Sequence, residues 1–288
     1  MTPKFEARLT DRYSDLSGAL RAAADHLARN PVELATRTLR SIARESGISP
    51  AAFSRLARAL GYDDIEALRE EMRGRIEQRA NGFAGRAERL HNDPKNREAG
   101  GFLEAHFAAC QGNLRSFIDT VDRTELERAV ERLGAARKVL LLGSLGSTGV
   151  VEYLSYMANF CADNWALASR SGASLGSGLV GLGPEDALII VTKPPFSDRA
   201  IRATRLARDQ GVYVVLITDT LECPALKYAS ARFIVPTGSQ HFYSSYVTTV
   251  FLVECLIGML VSRSGPAARG RIAEVEAANR VLAEVWDL

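Results

Sequence analysis

Residues 38–62 of this chain read TLRSIARESGISPAAFSRLARALGY, and this stretch decides the fold of the N-terminal part. Thr38 is placed to cap a helix that runs as far as Gly47, where glycine allows a left-handed turn. Ser49 is placed to cap a second helix, with Pro50 at its first position, where a missing N–H costs nothing. The pattern therefore predicts two short helices joined by a tight turn.

The apolar side chains of this stretch fall where they can lock the two helices together. Ala43 is small enough for the second helix to pack closely against it, and Gly47 follows four positions later. The other residues of the lock are Ile42, Ile48, Phe53 and Leu56. With these inside, the residues expected to face a DNA major groove are Ser49, Pro50, Ala51, Ser54 and Arg55. Arg40 and Arg58 flank that face and suit contacts with phosphates.

Positive charge is concentrated in the same stretch. The whole chain has a net charge of +2, whereas residues 37–60 hold five arginines and one glutamate, a local net charge of +4. Attraction to phosphate acts over about 10 Å, so a local excess matters more than the average. Together with the caps and the apolar lock, this charge favours a DNA-reading helix-turn-helix over an ordinary helical hairpin.

The stretch resembles the N-terminal domain of the RpiR family of bacterial transcriptional regulators. The resemblance lies in the pieces Ser49-Pro50-Ala51, Ser54-Arg55 and Leu60-Gly61-Tyr62. It implies a regulator that binds a double-stranded DNA operator. Family members usually carry Thr at the position of Ala52. If that Thr contacts DNA, this chain lacks one hydroxyl contact, and its operator differs from those of its relatives.

Beyond about residue 101, apolar runs alternate with helices. The predicted helices are 102–118 and 123–133, and the apolar runs are 138–142, 187–191, 212–218 and 232–235. Such alternation predicts a parallel sheet covered on both faces, with ligands at the carboxyl ends of the strands. The predicted organisation is an all-α helix-turn-helix domain at 1–80, a glycine-rich linker at 81–101 and an α/β doubly wound domain at 102–288.

The RpiR family pairs its DNA-binding domain with a SIS (sugar isomerase) domain, a parallel-sheet module that binds phosphosugars. The order of strands, loops and helices is similar here, so the resemblance covers residues 15–262. In the first loop, Gly143 and Gly146 let backbone N–H groups approach an anion, and Ser144 and Ser147 add hydroxyls. A tight strand-to-helix turn with a Ser cap is the alternative.

The second loop departs from the SIS pattern. SIS domains usually carry Ser-x-Ser-Gly-x-Thr, whose hydroxyls and N–H groups hold a phosphate, whereas this chain reads TKPPFS from Thr192 to Ser197. The outer hydroxyls are kept, but Pro194 and Pro195 have no N–H to donate. Lys193 can supply positive charge instead. Because some RpiR-type regulators carry a Pro-aromatic-Ser version, the departure predicts an altered carbohydrate-derived ligand, phosphorylated or not.

Two later segments complete the predicted ligand site. Thr220 follows the third apolar run, at the same edge of the sheet. Ser244 or Ser245 lies before the late helix, where the family often has a Ser that reaches the ligand. A helix cap is an equally good explanation for these serines.

Catalysis is not predicted. An isomerase needs a general base and usually an acid near the sugar carbonyl. Glu152, Glu222 and His241 are the candidates, but no spacing ties two of them together. A SIS-fold sugar isomerase with a helical extension is the alternative function, and a structural module that binds protein partners is a third.

The remaining patterns concern metals, membranes and assembly. The cysteines, Cys110, Cys161, Cys223 and Cys255, form no C-x-x-C pair and have no His at metal spacing, so no metal or cofactor is predicted and a reducing cytoplasm is expected. Residues 1–15 lack a signal-peptide core, and the apolar stretch 246–261 contains Glu254 and is shorter than the roughly 20 residues of a membrane span. Residues 267–288 form a predicted amphipathic helix, for packing or for contact within a homodimer or homotetramer.

Overall fold

The computed structural model describes residues 5–30, 33–80, 82–169 and 173–286. The chain divides into two compact units, Met1–Asp93 and Pro94–Leu288. The division falls inside the stretch predicted as a linker. Each unit has its own apolar core and is described by itself.

The described part of the first unit is built from helices. They are α1 (Phe5–Arg12), α2 (Gly18–Arg29), α3 (Glu33–Thr36), α4 (Leu39–Ser46), α5 (Pro50–Ala59), α6 (Ile65–Ala80) and α7 (Phe83–Asn92). One apolar cluster joins α1 to α6, and its most buried members include Phe5, Leu27, Leu34, Phe53, Leu56 and Leu68.

Helices α4 and α5 are the predicted pair. Thr38 Oγ1 accepts the N–H of Ser41 at 3.2 Å, and Ser49 Oγ accepts the N–H of Ala52 at 3.3 Å. Gly47 lies between them with φ of 70°, in the left-handed region. Hydrogen bonds between residues three positions apart therefore fix where both helices begin and where the turn lies.

The stretch predicted as a linker is more helical than its glycines suggested. Helix α7 occupies Phe83–Asn92, and a short 3-10 turn follows at Pro94–Arg97. The α7 sequence FAGRAERLHN consists mainly of good helix formers, which outweigh its single glycine. Residue 81 lies outside the described part.

The second unit contains a five-stranded parallel sheet in the order β2-β1-β3-β4-β5. The strands are β1 (Val139–Gly143), β2 (Trp165–Leu167), β3 (Ala187–Val191), β4 (Tyr213–Thr218) and β5 (Ala231–Ile234). Its helices are α8 (Gly101–Thr120), α9 (Arg123–Gly134), α10 (Thr148–Cys161), α11 (Leu175–Leu179), α12 (Asp198–Asp209) and α13 (Val247–Val281). The apolar runs predicted four of the strands; β2 has three residues, too few to show a period.

Both faces of the sheet are covered. Along β1, Val139 and Leu141 pack into a cluster with residues of α9, α10 and α13, while Leu140 and Leu142 pack into a second cluster with residues of α11 and α12. This alternation follows from the two-residue period of a strand. The predicted α/β doubly wound fold is confirmed.

The strand order reverses between β1 and β3. From β1 the chain moves to β2 on one side, and β3, β4 and β5 continue on the other side. Gly143 pairs with Val191 at the carboxyl ends of β1 and β3, so the loops that follow these strands lie side by side. Such a switch point is where open parallel sheets bind ligands.

Helix α13 is long and apolar enough to cross a membrane by length and hydropathy alone. Its first half is instead a core helix of this unit. It contributes to the cluster beside the sheet through Leu252, Val253, Leu256 and Leu260. The backbone kinks at Gly265 and Pro266. The predicted burial of residues 246–261 is therefore confirmed for the face that meets the sheet.

Beyond the kink, the apolar side of the tail is only partly covered. Ile272 and Val275 are half-buried, whereas Val281 and Leu282 are 86% and 67% exposed. Packing within the unit accounts for the first two residues. Val281 and Leu282 are exposed enough to contact another molecule.

Candidate functional site

The first candidate surface is the exposed face of α5. The exposed residues are Ser49, Pro50, Ala51, Arg55 and Arg58, Ser54 is half-buried, and the inner face is Ala52, Phe53, Leu56 and Ala57. Arg40 on α4 is exposed as well. No acidic side chain lies in the first turn of α5, so its positive N-terminal end is not offset there. Every residue predicted to face DNA thus has access to solvent.

Ala52 belongs to the core and not to this surface. It is 1% exposed, and its N–H is the group that Ser49 caps. In this chain the side chain at position 52 therefore packs in the core, and the suggestion that a Thr here contacts DNA in relatives stays a prediction.

The predicted local net charge of +4 is larger than the positive charge available on this surface. Arg37 forms ion pairs with Glu33, at 3.3 Å, and with Glu45. The hydrogen bond from Arg37 lowers the pKa of Glu45. Arg37 is thus neutralised within the unit, while Arg40 and Arg58 remain exposed.

The C-terminal end of α5 is held by two arginines from α1. Arg8 Nη1 donates to the carbonyl of Gly61 at 2.7 Å, and Arg12 Nη1 donates to the carbonyl of Ala59 at 2.9 Å. The Arg8 guanidinium also lies 4.2 Å from the centre of the Tyr62 ring. These contacts neutralise the negative end of α5 and fix its orientation. They were missed from the sequence because the partners are about 50 residues apart.

The second candidate site is the crevice at the carboxyl ends of β1 and β3. Two of the predicted ligand residues lie deep in it: Ser147 is 1% exposed and Lys193 is 6% exposed. Thr192 is also buried, whereas Ser144 and Ser197 are half-buried. Since the loops after β1 and β3 are neighbours, these five residues belong to one edge of the sheet.

The first loop is tightly packed. A Cβ on Gly143 would lie 2.4 Å from the carbonyl oxygen of Ser147, and a Cβ on Gly146 would lie 2.1 Å from the hydroxyl of Tyr243. Both glycines are therefore needed for close packing, whether or not an anion binds. Tyr243 was not predicted as a site residue.

Lys193 lies at the centre of this crevice. Its Nζ donates to Thr249 Oγ1 at 2.5 Å and lies 3.8 Å from the centre of the Tyr246 ring. Burial lowers the pKa of Lys193 to about 8, against the opposing attraction of Asp219. The crevice thus contains a buried cation that is held by a hydroxyl and an aromatic face.

Two tyrosines connect the loops around Lys193. Tyr246 Oη lies 3.0 Å from Ser147 Oγ, and the Tyr246 ring stacks on that of Tyr243 with centroids 6.2 Å apart. Burial raises the pKa of Tyr246 to about 12, so it is a neutral hydrogen-bonding group at pH 7. Sequence reasoning pointed to serines in residues 240–245 and missed both rings.

The other predicted ligand residues have local roles. Thr220 Oγ1 accepts the N–H of Glu222 at 3.2 Å, which closes the turn after β4. Ser244 is half-buried. Ser245, its alternative, is 3% exposed and accepts the N–H of Val247 at 3.3 Å. Ser245 thus shapes the turn that leads into α13, whose N-cap is Tyr246, and the helix-cap explanation is not borne out.

Helix α8 holds the loop that carries the tyrosines. Asn113 Nδ2 donates to the carbonyl of Gly238 at 2.7 Å, and Asn113 Oδ1 accepts the N–H of Gly238 at 3.0 Å. One turn away, Cys110 Sγ lies 3.6 Å from both His106 Nε2 and Ser245 Oγ. The expectation that no His stands at metal spacing from a cysteine is thus wrong for Cys110, which follows His106 by four residues on one helix. Among the described residues, no group of three or more His, Cys, Asp or Glu could hold a metal.

The candidates for catalysis are dispersed. Glu152 is exposed on α10. His241 Nδ1 accepts the N–H of Tyr243 at 3.0 Å, so this ring nitrogen shapes the loop. Glu222 lies in the turn after β4, where its N–H bonds Thr220 Oγ1.

Comparisons with known proteins agree with this architecture. Residues 136–259 match the family model of the SIS domain. A comparison with curated proteins gives no match. The sugar isomerase domain of an RpiR transcription factor from Sphaerobacter thermophilus is 22% identical, with a TM-score of 0.57, over 60% of this chain and 97% of that chain.

Two further solved structures are similar. The Vibrio vulnificus NanR protein complexed with ManNAc-6P is 20% identical, with a TM-score of 0.57, over 97% of this chain and 99% of that chain. A Listeria monocytogenes protein, provisionally assigned as a sugar-phosphate isomerase, is 15% identical, with a TM-score of 0.51, over 60% of this chain and 93% of that chain. Residues 136–259 therefore match the SIS domain, and the fold of the chain is similar to that of the RpiR-family regulators which the sequence resembles.

Proposed function

We propose that this chain is a transcriptional regulator whose affinity for a DNA operator is controlled by a carbohydrate-derived ligand in its SIS domain. The observation that carries the proposal is the presence, in one chain, of the exposed cationic helix α5 and a SIS domain with a polar crevice. An enzyme has no need of the first feature, and a simple DNA-binding protein has no need of the second.

The DNA-reading surface is the exposed face of α5. The N-terminal part of α5 enters a major groove, where base edges meet Ser49, Pro50, Ala51, Ser54 and Arg55. Arg40 and Arg58 contact phosphates and fix the register of the helix on the duplex. The capped ends of α5 support this role, because a rigid helix loses little entropy on binding.

The ligand lies in the crevice beside Lys193. The residues proposed to contact it are Ser144, Ser147, Thr192, Lys193, Ser197, Thr220 and Ser244. The similar NanR structure contains ManNAc-6P, which supports a carbohydrate derivative as the ligand class here. Ligand binding shifts the populations of states that differ in operator affinity, which is how it controls transcription.

The proposal includes the absence of catalysis and a cytoplasmic location. Glu152 is exposed, and the Nδ1 of His241 accepts the N–H of Tyr243, which supports a binding role over an isomerase. The chain acts as a homodimer or homotetramer, because exposed apolar side chains such as Phe107 and Leu282, 63% and 67% exposed, have a use in contact between copies.

The test is the effect of Arg55→Ala and Arg58→Ala on binding to DNA taken from upstream of the protein's own gene. Fluorescence anisotropy over a salt series gives both the affinity and its salt dependence. We expect the double variant to bind at least about tenfold more weakly, with the salt slope lowered by about one for each phosphate that the variant no longer neutralises. Arg205→Ala, an exposed arginine on α12, is the matched control. Equal binding by the double variant and the control would reject the proposal.

A further inference from the structure

Lys193 is a buried cation without a carboxylate partner. Its side chain is 6% exposed, and its Nζ contacts Thr249 Oγ1 and the face of Tyr246. Among the described residues, no salt bridge joins its Nζ to Asp or Glu, although Asp219 attracts it electrostatically. Burying an unpaired ammonium is costly, and an anion beside it offsets that cost. The site therefore suits an anionic group of the ligand.

The groups that contact this cation directly are neutral, namely the Thr249 hydroxyl and the Tyr246 ring, while the Asp219 carboxylate also attracts it. Ser147 and Tyr246 share a hydrogen bond, and the Tyr243 hydroxyl lies against Gly146. The two tyrosines are half-buried, so a ligand can approach Lys193 past them. Hydroxyls that both donate and accept suit the hydroxyl groups of a sugar.

The loop before α12 is poorly suited to a phosphate dianion. Thr192 uses its N–H to bond the carbonyl of Ile217 at 3.1 Å, and Pro194 and Pro195 have no N–H. Asp198 in the first turn of α12 pairs with Arg202 at 2.7 Å. Because the N–H groups of Thr192, Pro194 and Pro195 are engaged or absent, this loop offers fewer donors than a phosphate dianion needs.

We propose that the ligand is a sugar acid, whose single carboxylate pairs with the Lys193 ammonium and whose hydroxyls meet Ser147, Tyr243 and Tyr246. The inference rests on the proposed function, since it names the ligand class of the same crevice. One negative charge matches one buried cation, and a planar carboxylate needs fewer donors than a phosphate.

The test is calorimetric titration of the full chain with sugar acids and matched sugars. The pairs are D-gluconate with D-glucose 6-phosphate, D-galactonate with D-galactose 6-phosphate, and D-glucuronate with D-glucose. We expect at least one acid to bind about tenfold more tightly than its partner, and Lys193→Met to weaken that binding by about tenfold or more. Lys227→Met is the matched control, because Lys227 also lies over a tyrosine ring but is exposed.

Three results would overturn the inference: tighter binding of a phosphate, acid binding that survives Lys193→Met, or binding of none of the acids. A second measurement, of operator binding by the wild-type chain, distinguishes failure of the sugar-acid inference from failure of the proposed function. If a sugar phosphate binds and changes operator affinity, the regulator proposal stands and the sugar-acid inference fails. If the chain binds no operator, the regulator proposal fails whatever binds in the crevice.

Discussion

At the scale of single residues, Lys193 is a charged side chain whose burial costs the fold free energy. A lysine in water has a pKa near 10.5, and burial brings that of Lys193 to about 8. The contacts with Thr249 and Tyr246 recover only part of the lost hydration. A residue kept at such a cost is better explained by binding than by stability.

This cost predicts how stability depends on pH. The pKa of Lys193 falls from 10.5 in the unfolded chain to about 8 in the folded one, a difference worth roughly 3 kcal/mol. Between these pH values the unfolded chain binds more protons, so wild-type stability rises with pH. We expect Lys193→Met to be more stable than the wild type at pH 7. The difference between their free energies of unfolding should shrink between pH 8 and 10. Urea unfolding followed by circular dichroism measures this, and a less stable variant at pH 7 would contradict it.

Residues with local partners were predictable, and residues with distant partners were not. Thr38 and Ser49 cap helices through atoms three positions away, so their roles are written in the sequence. Arg8 reaches Gly61, and Tyr246 reaches Ser147, across 53 and 99 positions. Nothing in a single sequence indicates such pairs, because they exist only once the fold has formed.

At the scale of elements, the turn between α4 and α5 sets the orientation of α5 relative to α4. Gly47 has φ of 70°, which is costly for residues with a Cβ. A Cβ built on Gly47 meets nothing within 4 Å. The turn therefore needs glycine for its backbone conformation and not to avoid a steric clash. The turn therefore depends on this glycine even though space is available.

Substitution of Gly47 measures the free energy that a positive φ costs a residue with a Cβ. We expect Gly47→Ala to destabilise the first unit by about 1–2 kcal/mol, because alanine is strained at positive φ. Gly18→Ala is the matched control: Gly18 also has open space around it, begins α2 and has no positive φ. The control should be neutral or stabilising by less than about 1 kcal/mol. Equal free energies of unfolding for the two variants would show that the turn does not need glycine.

Elements of ordinary length were predictable from periodicity, and short or ambiguous ones were not. Strand β3 lies at Ala187–Val191, where an apolar run predicted it. Strand β2 is three residues long and was missed, and α7 lies in a stretch whose glycines suggested a linker. The crevice could be located from the strand ends, but its tyrosines and the clamp from Asn113 required the packed fold.

At the scale of the whole molecule, a regulator must join a DNA-reading unit to a ligand-reading unit. Each unit has its own core, so each can hold its binding surface without help from the other. Helix α8 is the first helix of the second unit, and through Asn113 it holds the loop that carries Tyr243 and Tyr246. In the proposed function, a ligand that contacts those tyrosines therefore also acts on α8, the helix that follows the first unit in the chain.

Exposed apolar side chains of the second unit are consistent with the proposed assembly. Leu103 and Phe107 on α8 are 71% and 63% exposed, and Val281 at the end of α13 is 86% exposed. Contact between copies would cover such residues. A symmetric dimer would present two DNA-reading units to two half-sites of one operator.

The most direct test of the regulator proposal is the operator affinity of the full-length wild-type chain, measured by fluorescence anisotropy with and without sugar acids and sugar phosphates. We expect sequence-specific binding that competitor DNA of random sequence does not displace, and a change of at least about fivefold when one of these compounds is added. Binding that is equally weak for every duplex, or specific binding that none of the compounds alters, would contradict the account.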